Sequence, residues 1–151
     1  MFRLIGHYEL HREADLIVIR SEPEFNLEAA RQYARDMTQL IAEMPPIFGS
    51  LISFESPPIV APEVEEAMHR FARHRSTQGL VATAFVTAND EALTIARGQW
   101  HRVYDGSGIA LRFFSEEASA REWLAEVIER ARVGREDEVT KSSPGKSGQR
   151  K

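Results

Sequence analysis

The chain has no cysteine. This removes disulfides, a thiolate nucleophile and cysteine-ligated zinc or iron–sulfur centres from consideration, and it fits a reducing cytoplasm. Lysine is nearly as scarce: the three present, Lys141, Lys146 and Lys151, all lie close to the C-terminus. A Schiff-base or general-base lysine is therefore excluded from the body of the chain. No apolar run approaches the roughly 20 residues that cross a bilayer. Charge breaks the opening "MFRLIGHYELHREAD" too early for a signal peptide, so a soluble cytoplasmic protein is expected. There is no Gly-x-Ser-x-Gly elbow, no Gly-x-Gly-x-x-Gly and no phosphate loop with its lysine. The histidines, His7, His11, His69, His74 and His101, form no His-x-x-x-His or His-Glu-x-x-His pair. His69 and His74 stand five apart, on different faces of a helix. No metal site, no catalytic residues and no cofactor are expected.

What is present reads as one domain. The chain has 151 residues, 42% hydrophobic and 28% charged, an ordinary globular balance with length enough for a substantial core. The net charge of −4 is uneven. Residues 135–151 hold five basic and three acidic side chains and carry +2, which leaves −6 on the rest. A body of that charge argues against a broad nucleic-acid surface. After residue 133 the composition turns to "GREDEVTKSSPGKSGQRK", too poor in apolar side chains to bury itself. The expectation is a domain over 1–133 and a disordered tail over 134–151.

Two β segments come first, "FRLIGHYEL" and "DLIVIRSE", joined by the polar "HREA" as a hairpin. "DLIVI" is apolar on both faces, as an interior strand is. From an Asn26 cap, Leu27, Ala30, Ala34, Met37, Ile41 and Met44 form one helical stripe, which Pro45 and Pro46 end. "IFGSLISFES" is a third strand. Pro62 opens a second helix whose acidic start and basic end complement its dipole. "LVATAFVTA" is a fourth strand, and Asn89 caps a third helix that Gly98 weakens midway. "GIALRFF" is the fifth strand. Ser115 caps a last helix with its stripe at Ala120, Trp123, Leu124, Val127, Ile128 and Ala131. The order β-β-α-β-α-β-α-β-α predicts an α/β fold, a five-stranded mixed sheet with helices packed on it.

That order and the stretch "GIALRFFSEEASAREWLAEV" resemble the small SpoIIAA-like proteins of the STAS superfamily, relatives of bacterial anti-sigma-factor antagonists. The shared features are a closing strand ending at Phe114, the polar cap Ser115-Glu116-Glu117, Ala118 and Ala120, and Trp123-Leu124 on the helix. "LVATAFVTANDEA" resembles the family's fourth strand and the polar start of the helix after it. The resemblance spans about residues 2–131 and rests mostly on core and cap positions. It implies a SpoIIAA-like fold and a regulatory or interaction role. In the antagonists the third-strand junction carries a phosphorylatable serine in an Asp-Ser-Ser/Thr-Gly motif. Here the junction reads "SFESPPIVAPE", with Ser56 nearest and prolines directly after it. Glu63, Glu65 and Glu66 at the helix start would repel added negative charge, so the turn reads as structural.

The candidate binding residues are Phe54, Ser56, Ile59 and Val60 at this junction, Arg70, Arg73 and Arg75 as forked anion donors, and Trp100 as a stacking ring with His101 and Tyr104 in the same stretch. Each has a plainer explanation. Arginines satisfy a helix C-terminus, and Trp100 at helical spacing from Leu93 and Ala96 belongs in a core. The reading is a non-enzymatic module that binds a protein partner or a small apolar ligand, with a homodimer compatible. The alternative is a small enzyme whose His, Arg and Glu residues assemble at the strand ends.

Overall fold

The computed structural model describes residues 3–5, 8–21, 26–54, 59–87 and 93–148. Its elements are β1 (Arg3–Ile5), β2 (Tyr8–Glu13), β3 (Leu16–Ser21), α1 (Leu27–Ile41), β4 (Phe48–Phe54), α2 (Pro62–Ser76), β5 (Leu80–Val86), α3 (Leu93–Tyr104), β6 (Ala110–Phe114) and α4 (Glu117–Gly148). One mixed sheet runs in the order β1-β2-β3-β4-β5-β6. Its first two pairings are antiparallel and the rest parallel. The α/β class and the alternation match the sequence reading, with one strand more. The first β segment is two strands, paired Ile5 to Tyr8, so the sheet gains β1 at its edge.

The polar "HREA" is not a connection. His11, Arg12 and Glu13 continue β2, and the turn is Ala14–Asp15, with Ala14 at φ 53°. Asp15 anchors it twice. Its carbonyl accepts from the Gly49 N–H at 3.0 Å, and its carboxylate accepts from Arg132 Nη2 at 2.7 Å.

Two apolar layers sandwich the sheet. On one face α1, α2 and α3 bury Tyr33, Met37, Val64, Met68, Trp100 and Val103 over Ile17, Ile19, Phe48, Ile52 and Phe85. On the other, α4, the one helix there among the described residues, presses Ala120, Leu124 and Ile128 onto Leu16, Val18, Leu51, Ala82 and Ala84. Small residues let α4 come close. A Cβ at Gly49 would sit 3.1 Å from Ile128 Cδ1 and 3.2 Å from Leu124 Cδ2.

Local signals act mostly where expected. Asn26 Oδ1 accepts from the Ala29 N–H at 2.8 Å, and Pro62 occupies the first turn of α2. The expected cap at Asn89 lies outside the described residues. For α4 the first helical bond runs from the Ala120 N–H to the Glu116 carbonyl, which puts the cap at Glu116, one residue past Ser115. The helical backbone of α4 continues to Gly148, but every described side chain from Val133 to Glu138 is exposed.

Candidate functional site

The carboxyl ends of β4 and β5 gather part of the expected set. Phe54, at the end of β4, stacks on Phe85 (centroids 5.6 Å apart, planes at 26°) and lies 6.4 Å from the Trp100 ring. Phe85 and Trp100 are 5.1 Å apart. These rings help enclose an apolar seam of about 20 Å³ with Tyr8, Tyr33 and Met68, room for about one water-sized group.

Beside the seam, the chain entering α2 is clamped to α3. The Val60 N–H donates to Gln99 Oε1 at 2.8 Å, and Gln99 Nε2 donates back to the Val60 carbonyl at 2.7 Å. Gln99 Nε2 also reaches Glu65 Oε1 at 3.2 Å. The Glu65 carboxylate takes a two-pronged contact from Arg102, Nε at 2.9 Å and Nη2 at 3.1 Å. That guanidinium holds the Glu65 carboxyl below the usual range. His69 extends the α2–α3 seam by donating from Nδ1 to the Val103 carbonyl at 2.9 Å. Two large apolar side chains stand exposed next to the clamp: Ile59, 49% exposed, adjoins Val60, and Ile95, 64% exposed, lies one turn from Gln99.

The remaining expected residues scatter. Tyr104 is buried in the core on the three-helix face, as are Val60 of the clamp and Trp100 of the seam. Arg70 is exposed, with Glu66 at 4.0 Å, and Arg73 is exposed near Gly106. His101 is exposed, its ring 6.0 Å from Phe113. Ser56 lies outside the described residues. The arginines therefore do not converge on the Phe54–Val60 junction.

Arg75, expected with Arg70 and Arg73 as an anion donor, is instead buried, at the centre of a polar cluster that escaped the sequence reading. Arg75 is only 5% exposed; its Cζ lies 4.7 Å from the Tyr33 ring centroid and 5.5 Å from that of Phe71, and its Nη2 has no hydrogen-bond partner. Burial pushes the Tyr33 phenol up, opposed by the charge and hydrogen bond of Arg75. Burial also drives the Tyr104 phenol up, with neighbouring Tyr33 adding to it and a hydrogen bond with Thr83 opposing it. The Thr83 and Ser50 hydroxyls hydrogen-bond at 2.8 Å beneath. The Tyr8 hydroxyl donates to buried Asp36 at 2.8 Å. The signal was available: Val64, Met68, Phe71 and Ala72 recur at spacings that place Arg75 on the same buried stripe.

A histidine–carboxylate pair sits at the opposite end of the parallel strands. His11 Nε2 is 2.8 Å from Glu13 Oε2, and Arg121 of α4 bridges Glu13 (3.1 Å) and Glu117 (2.7 Å). Hydrogen bonding to His11, the largest influence, and to Arg121 lowers the Glu13 carboxyl. Among the described residues no three His, Asp or Glu side chains are placed to hold a metal ion, and no helix is long and apolar enough to cross a membrane.

No family model and no curated protein matches the chain. Among solved structures it is similar to an uncharacterised DUF3478-family protein with a SpoIIAA-like fold from Shewanella loihica PV-4. The superposition gives a TM-score of 0.57 at 13% sequence identity and covers 82% of this chain and 98% of that one. The fold is therefore SpoIIAA-like, as the stretch from Gly108 to Val127 implied; at this identity the likeness establishes the fold alone.

Proposed function

We propose that this chain is a non-enzymatic, cytoplasmic binding module of the STAS kind that engages a protein partner at the carboxyl end of its sheet. The observation that carries this reading is the pair of exposed isoleucines, Ile59 and Ile95, which flank the Val60–Gln99 clamp in sequence, Ile59 next to Val60 and Ile95 one turn before Gln99. Large apolar side chains exposed at a surface are what a partner's apolar anchor fits against. The apolar seam at Phe54, Phe85 and Trp100, about 20 Å³, suits an inserted methyl group and is far below the hundreds of cubic ångströms that a bound lipid or drug-sized ligand takes up. The histidine–carboxylate pair that an enzymatic reading would use lies at the other end of the strands and is engaged with Arg121.

Native mass spectrometry of the gently purified protein tests this reading. A partner or second copy that stays bound, and is lost on Ile95→Arg, supports it. A constant small added mass that survives the substitution overturns it in favour of a ligand carrier.

A further inference from the structure

A second cavity, of about 310 Å³ and largely polar, opens where β5 and β6 end and α4 begins. It lies at the low end of the size range of small-molecule sites. It is distinct from the Ile59–Ile95 surface. Leu93 and Arg97 line the cavity from one face of α3, whereas Ile95 and Gln99 sit on another.

Three independent features converge on it. Thr87, 3% exposed, lines the cavity, and its hydroxyl has no hydrogen-bond partner, a costly state for a buried polar group. Its position is fixed, because its N–H donates to the Phe114 carbonyl at 3.0 Å. Arg97 lines the same cavity with its guanidinium 5.6 Å from the Phe113 ring centroid. Stacking engages the face of a guanidinium and leaves its edge donors unspent. The third feature is the start of α4. Its first helical bond is made by the Ala120 N–H, so the amides of Glu117, Ala118 and Ser119 have no acceptor within the helix. Ser115 and Ser119 add hydroxyls to the lining, and Glu116 adds one carboxylate.

We propose that this cavity binds a small oxyanion of the phosphate class, held by Arg97, the Thr87 hydroxyl and the first-turn amides of α4. The chemistry is that of a helix N-terminus completed by a forked cation and a hydroxyl donor. Glu116 opposes the ligand's charge and sets the affinity below what the donors alone would give.

The test is an amide-resolved NMR titration of the full chain with inorganic phosphate, with sodium chloride at matched ionic strength as the comparison. The expected result is saturable shifts centred on Ala118, Ser119 and Thr87 that chloride does not reproduce. Arg97→Gln, a surface change, weakens binding about tenfold. Thr87→Val does the same while Thr87→Ser retains affinity. Glu116→Gln tightens binding a few-fold, by about the worth of one exposed charge pair. Shifts that follow ionic strength alone, or that Arg97→Gln leaves unchanged, overturn the proposal. A weaker Glu116→Gln complex also overturns it, because it would show that the site wants a cationic group. None of these outcomes depends on the isoleucine surface, so the two readings fail separately.

Discussion

The side-chain amide of Gln99 does for Val60 what a neighbouring strand would do. It accepts the N–H and donates to the carbonyl of one buried residue. Buried backbone groups need such partners, and the path from β4 into α2 offers no regular ladder at this point. Gln99→Met keeps the volume and removes both bonds, so it should cost roughly 2 kcal/mol, measured by urea unfolding. A loss below about 0.5 kcal/mol would mean that water takes over both groups. Arg75 presents the opposite case. It stacks well on Tyr33, yet it buries a cation with one nitrogen unpaired. Arg75→Met should leave stability unchanged or raise it by about 1 kcal/mol, because the desolvation penalty of a buried charge outweighs stacking. A loss above about 2 kcal/mol would show that the guanidinium organises the Tyr33–Tyr104 cluster. The burial of Arg75 was readable from helical spacing, but a basic helix end suggests a solvated face first. The Gln99–Val60 bridge was not readable, since nothing local joins residues 39 apart.

Helices α2 and α3 are joined by polar contacts along their length, and the Glu65–Arg102 pair gives that joint a pH signature. The folded-state pKa of Glu65 is depressed by Arg102. Its contribution is therefore fully present above the ordinary glutamate value, about 4.3, and fades as pH falls through the lower folded-state value. Glu65→Gln should thus be less stable than the parent at neutral pH and converge with it in acid. Arg102 is well exposed, so added salt should shrink the neutral-pH gap. A gap that persists unchanged at low pH would mean that Glu65 acts through Gln99 alone. The elements themselves were largely legible, because caps, prolines and stripes are local. The extra residues of β2 were not. The polar His11, Arg12 and Glu13 look like a turn until Arg121 of α4, over a hundred residues away, supplies the ionic partner that keeps Glu13 on a strand. The cap at Glu116 was missed for a related reason: Ser115 is the stronger capping residue by type, yet helix geometry begins one residue later.

At the scale of the whole molecule, the two faces of the sheet are covered unequally. Three helices cover one face, whereas the other depends on the first turns of α4, where Ala120, Leu124 and Ile128 are fully buried. Among the described residues, the last ion pair tying α4 to the rest of the fold is Arg132 with Asp15 at 2.7 Å. Beyond it the side chains from Val133 to Glu138 meet solvent, so the continuing helix gains no tertiary burial there. A helical extension without packing is marginal in water. Deleting residues 135–151 should therefore shift Tm by no more than about 2 °C. The charge distribution sharpens the test, because this segment carries +2 against −6 on the rest. If the segment docks electrostatically, truncation will lower Tm at low ionic strength and the loss will vanish in salt. If it projects freely, the two proteins will melt together at every salt concentration, which is the result the exposed stretch of α4 leads us to expect.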